Sequence, residues 1–248
     1  MNRVCLNIEN LTMKYEDKLI QENLTFPIYE GDIFVVMGGS GCGKSTLLRH
    51  LVGLKRPSSG KVFIYNESLW DLDEDKRQDL LREFGVSFQS GALWTSMTLK
   101  ENVSLSLEEY TNYSKNEISE IAKQKLSLVG LSGFEDYYPF EISGGMKKRA
   151  GIARAMALDP KVLFLDEPSA GLDPISSKNL DDLIIKLNKE EGVTVVIITH
   201  ELDSIFRIGT NSIFLDAETK TMQGYGSPKE LLKNGCEKVR RFLQRGEL

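Results

Sequence analysis

Eight residues, Gly38-Gly39-Ser40-Gly41-Cys42-Gly43-Lys44-Ser45, follow an apolar run at 33–37 and lead through Thr46 into Leu47, Leu48 and Leu51 at helical spacing. A GxxxxGKS run between a strand and a helix is a phosphate cradle. Its glycines let backbone N–H groups turn inward, and the helix N-terminus adds partial positive charge. Lys44 is spaced to reach the β and γ phosphates and Ser45 to ligate Mg²⁺. At average composition, a chance match in a chain of this length has a probability on the order of 1%. Cys42 occupies a variable position of the loop, where its thiol is expected to be open to alkylation without nucleotide. The expected ligands are the phosphates of a nucleoside triphosphate and Mg²⁺, with Gly38, Gly39, Ser40, Gly41, Cys42, Gly43, Lys44, Ser45 and Thr46 around the phosphates.

The rest of the chain fits a fold built around such a loop. Short β-branched runs at 4–8, 24–28, 33–37, 62–65, 84–88, 162–166, 193–199 and 213–216 alternate with helical patterns at 44–54, 146–158 and 175–189. This alternation predicts an α/β fold with a mainly parallel sheet, the runs opening at Ile33, Val162 and Val193 lying centrally. Strand signal disappears between Gln89 and Glu141, where Ile118, Ile121, Ala122, Leu126 and Val129 fall at helical spacing, so an inserted helical subdomain is expected. The 248 residues carry 31 Lys and Arg against 36 Asp and Glu, a net charge of −5, which argues against nucleic acid as a partner. Three cysteines far apart in sequence give neither a disulfide framework nor a zinc site. The first ten residues lack the apolar core of a signal peptide, and no aliphatic run is long enough to span a bilayer.

Residues 162–167, Val-Leu-Phe-Leu-Asp-Glu, run from a buried strand into two carboxylates. Beside a phosphate loop, Asp166 is the expected Mg²⁺ partner and Glu167 the general base for an attacking water. Gln89 and His200 each directly follow a predicted strand, where parallel sheets present ligand-contacting side chains, and are assigned to the γ-phosphate. Gln89 is also a candidate metal ligand. His50, the other of two histidines, lies inside the helix after the loop and is read as structural. Tyr15 can either stack on an adenine ring or serve as a packing aromatic.

A second glycine-rich run, Ile142-Ser143-Gly144-Gly145-Met146, precedes a helix. Taken alone it is a helix cap with a flexible glycine pair, although the same small residues and helix dipole can also receive an anion. Lys147, Lys148 and Arg149 read as mostly a solvated face.

Together these motifs resemble the ATP-binding subunits of ABC transporters over essentially the whole chain. The resemblance makes Tyr15 the A-loop aromatic, 38–45 the Walker A motif, Gln89 the Q-loop, 142–146 the signature, 162–167 the Walker B motif, Asp173 the D-loop acid and His200 the switch histidine. It implies one nucleotide-binding domain over 1–248 with an antiparallel β-subdomain: a catalytic core at 1–90 and 151–236, a helical subdomain at 91–150, and a C-terminal helix at 237–248. It also implies a head-to-tail homodimer in which Ser143, Gly144 and Gly145 of one subunit meet the γ-phosphate held by the other.

Met146 in place of the usual Gln, the following Lys-Lys-Arg, and Phe88-Gln89-Ser90-Gly91-Ala92-Leu93 resemble one branch, the ATPases of Mla and Mce lipid transport systems. That branch implies a permease of the MlaE type and an MCE-domain protein as partners, with the ATPase peripheral on the cytoplasmic side of the membrane. Because the chain stops at Leu248, the STAS-domain partner of longer members is not expected. Residues 93–107, with Trp94, Met97 and Leu99, are the expected permease-facing surface, core packing being the competing reading. Lys229, Lys233, Lys238, Arg240, Arg241 and Arg245 read as a solvated helix, with anionic headgroups as the alternative. The rival functions are an importer of another solute, a non-transport ABC ATPase, and a nucleotide-binding module without hydrolysis. The absence of a coiled-coil insertion or second nucleotide domain opposes the second, and intact Glu167 and His200 oppose the third.

Overall fold

Two long strands, β1 (Val4–Tyr15) and β2 (Lys18–Tyr29), form a hairpin. With β4 (Ser59–Ile64) and β5 (Glu67–Ser68) they make an antiparallel sheet of order β2-β1-β4-β5. The computed structural model describes residues 3–89 and 91–244; Ser90 and Arg245, named above, lie outside these. Tyr15 is the last residue of β1.

The second sheet has the order β10-β9-β3-β8-β7-β6. Its parallel strands are β3 (Ile33–Gly38), β6 (Phe84–Ser87), β7 (Val162–Asp166), β8 (Thr194–Ile198) and β9 (Asn211–Leu215). The edge strand β10 (Met222–Gly226) runs antiparallel to β9. The three most apolar strands, β3, β8 and β7, are central as expected, and every residue of β3 and β8 is buried. Burial on both faces is why these strands read as continuous apolar runs.

Alternation along β3 divides the interior. Phe34 and Val36 pack with the antiparallel sheet and with α1 (Lys44–Leu51), whereas Val35 and Met37 pack with Ile205, Phe214, Leu231 and Val239. Those last contacts bring α7 (Leu202–Ile208), α8 (Pro228–Asn234) and α9 (Glu237–Leu243) under the same strand that feeds the phosphate loop.

The helical insertion contains α3 (Leu99–Tyr110) and α4 (Lys115–Leu128), each opened by a capping box, Thr98/Glu101 and Ser114/Glu117. They pack on α5 (Gly144–Ala155), which begins two residues before its expected start and crosses residue 150 without interruption. Leu99 is fully buried in this cluster, so core packing is its role, while Trp94 is 61% exposed. The helix expected at 44–54 ends at Leu51, with Gly53 at φ +74 turning the chain. Helix α2 (Glu74–Leu81) has no buried residue and therefore no apolar period to betray it. The last long helix is α6 (Pro174–Glu190).

Candidate functional site

Gly38 ends β3, Gln89 lies just past β6, Asp166 ends β7 and His200 lies just past β8. The parallel sheet thus delivers all four to its carboxyl edge. Gly38, Gly39, Ser40, Gly41, Gly43, Lys44, Ser45, Thr46, Gln89, Glu167 and His200 line one cavity of about 640 Å³, joined by Ile20 and Phe242.

Two glycines are required by geometry. A Cβ on Gly38 would lie 2.4 Å from the Leu215 carbonyl oxygen, so only glycine lets the loop leave β3 against β9. Gly43 sits at φ 101 as the N-cap of α1 and supplies no capping side chain, which leaves the first amides of that helix for an anion. Lys44 is buried and donates to the Gly38 and Gly39 carbonyls at 2.9 and 3.1 Å, holding its ammonium over the loop.

Ser45 Oγ donates to Asp166 Oδ1 at 3.4 Å. Burial raises the Asp166 carboxyl above the usual range, and the neighbouring Glu167 charge adds to this, against the lowering effect of Ser45, Lys44 and Arg49. Glu167 has a backbone φ of +47, uncommon for a residue with a side chain, and is pinned by N–H donation to the Ile198 carbonyl at 2.8 Å. Its Oε1 meets His200 Nδ1 at 2.9 Å, while Oε2 is buried with no partner among the described residues. Two adjacent carboxylates, one desolvated and one with an unpartnered oxygen, beside a serine hydroxyl form a donor set suited to a hard divalent cation that also takes phosphate oxygens.

Other candidates stand outside this cavity. Tyr15 is 41% exposed, accepts a hydrogen bond from Arg49 Nη1 at 2.8 Å, and carries the Lys55 ammonium 3.3 Å from its ring centroid. Cys42 is a correction: its thiol is buried in the core below the loop, and burial pushes its pKa up, so it is not poised for alkylation. Only its backbone belongs to the loop. His50 is fully buried with Nδ1 2.7 Å from the Lys55 carbonyl, a structural role as expected.

Ser143, Gly144 and Gly145 do not reach the cavity. Ser143 caps α5, its Oγ accepting from the Met146 amide at 3.3 Å, and both Ser143 and Gly144 are exposed. Asp173 likewise caps α6, accepting from the Ile175 and Ser176 amides at 3.0 Å each. A hydrogen bond from the Ser176 hydroxyl, together with those from the Ser176 and Ile175 amides, holds its carboxyl below the usual range.

The reading of residues 147–149 as mostly solvated is also corrected. Lys148 is half-buried and donates to the Glu167 and Ala170 carbonyls, tying the start of α5 to the segment after β7, and Arg149 donates to the Val129 and Gly130 carbonyls. Arg154, not singled out from sequence, holds the Gly91 and Ala92 carbonyls at 3.0 and 2.8 Å. A basic residue on the inward side of a helix is the signal that would have found it. Lys238 is ion-paired with Asp216 and Glu218 at 2.6 and 2.8 Å instead of being free in solvent.

A phosphate loop on the central strand of a parallel sheet, with two carboxylates at the end of the next strand but one, defines a P-loop nucleotide hydrolase. The family model for ABC transporters matches residues 21–170. The chain therefore belongs to the ABC transporter ATP-binding family and is an ABC-type ATPase.

It is 39% identical over 241 residues to the probable ribonucleotide transport ATP-binding protein mkl of Mycobacterium leprae, covering 97% of this chain and 69% of that protein. It is 34% identical over 244 residues to the intermembrane phospholipid transport system ATP-binding protein MlaF of Haemophilus influenzae, covering 98% and 92%. The methionine import ATP-binding protein MetN of Clostridium tetani is 34% identical over 243 residues, covering 98% and 76%. Among solved structures, cbiO1 of Clostridium perfringens, part of the ABC transporter complex cbiONQ, superposes with a TM-score of 0.85 at 29% identity over 98% of this chain and 96% of that one. An ATP-binding cassette solved as a dimer in a post-hydrolysis state with ADP and Pi gives 0.80 at 31% identity over 90% and 98%.

Proposed function

We propose that this chain is the ATP-hydrolysing subunit of a membrane transporter, that two copies share each nucleotide, and that the transported class is lipid. One observation carries the shared site. Ser143 and Gly144 are exposed and, like Gly145, do not line the cavity of their own chain, so these three residues would meet a γ-phosphate held by a second copy. The dimeric solved relative supports this reading.

In the proposed site the loop amides of 38–46 and Lys44 hold the phosphates, with Ser45 and Asp166 as ligands of Mg²⁺ and Gln89 beside them. Bound there, the cation would neutralise developing phosphate charge. Glu167 takes the proton of the attacking water, and His200, hydrogen-bonded to Glu167, orients the carboxylate. Asp173 sits at the start of α6, on the face offered to the second copy. Tyr15 presents its free ring area to adenine.

Lipid as substrate is supported by the relative named for phospholipid transport, which this chain matches over 92% of that protein's length, and by Met146 in the signature. The permease-facing surface is proposed at Trp94 and Phe140, 61% and 70% exposed, with an MlaE-type permease and an MCE-domain protein beyond it. Among the described residues no helix is long and apolar enough to cross a membrane, which fits a peripheral subunit on the cytoplasmic side. Import of another solute is the second reading, favoured by the methionine-import relative. Purification of the chain from membranes with its partners, followed by identification of those proteins and of any bound lipid, separates the two. A permease carrying phospholipid supports the proposal; a complex with a soluble solute receptor and no lipid overturns it.

A further inference from the structure

Gln21 is fully buried near the start of β2, with its side-chain amide between two carbonyls. Its Nε2 donates at 2.8 Å to the Cys42 carbonyl inside the phosphate loop and at 2.8 Å to the Asp216 carbonyl just past β9. Both partners are acceptors, so the NH₂ group must face them. The price is a buried Oε1 with no partner among the described residues. Leucine would fill the same space without that penalty, so the useful part of this side chain is its pair of donors.

The far end of this bridge is gripped by α9. Lys238 reaches the Asp216 carboxylate at 2.6 Å and Glu218 at 2.8 Å. Burial alone pushes the Asp216 carboxyl up, but Lys238 and the hydrogen bonds from Thr219 and the Glu218 amide bring it down to about 2, so it stays ionised. One turn on from Lys238, Phe242 packs edge-on against Phe214 at 5.2 Å and lines the nucleotide cavity itself. Residues 214–216 therefore touch the phosphate loop at Gly38 and, through Gln21, at Cys42, and they are held on their other side by the C-terminal helix.

We infer that Gln21 is a positioning residue for the phosphate loop and that the docking of α9 on residues 214–216 acts through it to set nucleotide affinity. This rests on the reading of residues 38–46 as the nucleotide cradle. A seven-residue helix held by a small satellite cluster and one ion-pair group opens at lower cost than the central sheet, which suits it to such control. Because linkage is reciprocal, bound nucleotide must also favour the docked helix.

ADP is the probe, since it is not turned over. Titration calorimetry on the whole chain should show Gln21→Met weakening ADP about tenfold and Lys238→Met about threefold, both free proteins melting below wild type but each still in one cooperative transition. The double variant should stay near tenfold, because both changes interrupt one path. ADP should slow amide exchange at 237–243 in the wild type and not in Gln21→Met. Unchanged affinity in Gln21→Met, a double variant near thirtyfold, or exchange at 237–243 indifferent to ADP overturns the inference. If Lys44→Ala retains wild-type ADP affinity, the reading of the cradle fails instead, which keeps the two failures distinct.

Discussion

The two glycine-rich runs differ in how much of their surroundings one chain supplies. Residues 38–45 are walled by Leu215 behind Gly38, Ile20 beside Gly43, and Asp166 near Ser45, and they open into a cavity that also holds Glu167 and His200. Residues 143–145 have little around them: a Cβ on Gly144 would meet nothing within 4 Å, and one on Gly145 would come no closer than 3.7 Å to Leu172. Both are helix N-termini able to take an anion. The first is built to hold a charged ligand unaided, whereas the second is a finished edge without an opposite wall. On the proposed reading, the first is a binding site in a monomer and the second only a cap.

The largest test of this difference removes the chemistry of the walled site while leaving its cradle. Glu167→Gln should retain ATP binding and lower hydrolysis by about 10³-fold, with ATP-bound dimer accumulating in analytical ultracentrifugation. Normal turnover by this variant would remove Glu167 from its role as base. Next in size is the open cradle. Ser143→Trp should leave ATP binding to the isolated chain unchanged and reduce hydrolysis about 10²-fold, the scale of losing one oriented donor at a developing charge. Loss of ATP binding by the monomer would show that both runs serve one chain, and the comparison would collapse.

Much of the walled site was legible because its chemistry and its fold share one pattern: an apolar strand, a glycine loop, an amphipathic helix, and carboxylates at a strand end. The central placement of β3, β7 and β8 followed from their unbroken apolar runs. Gln21 was hidden for a definite reason. Counting by twos from Phe26 and Leu24 points Gln21 to the outer face of β2. The strand instead carries a bulge with Asn23 at φ 54, the pairing steps from Leu11–Leu24 to Met13–Gln21, and the side chain swings inward. Phe242 was hidden because the helix that carries it to the cavity lies at the opposite end of the chain from the phosphate loop. Lys148 was misread because residue type alone cannot tell a solvated lysine from one that holds buried carbonyls.

A smaller effect is expected at the rim. The Tyr15 ring has the Lys55 ammonium over it and Arg49 on its hydroxyl, so its orientation is fixed before any ligand arrives. Tyr15→Ala should raise the KM for ATP about fivefold with kcat unchanged, the pattern of lost uniform binding. A fall in kcat at constant KM would instead make Tyr15 a packing residue of the hairpin.

The smallest effect separates the two runs by electrostatics alone. Burial and the Glu167 charge raise the Asp166 carboxyl above its unfolded value, so between those two values the folded chain binds more protons than the unfolded one. Stability from this group therefore falls as pH rises through that window, and above it the cost is fully present. Asp166→Asn removes the charge, so the nucleotide-free variant should melt about 2–4 °C above wild type at pH 7. The difference should vanish below the unfolded carboxylate range, where both states are protonated. Ser143→Ala, which touches no ionised group, should show a melting difference independent of pH. If Asp166→Asn melts at or below wild type at pH 7, the walled site carries no stored charge cost, and the two runs differ in shape only.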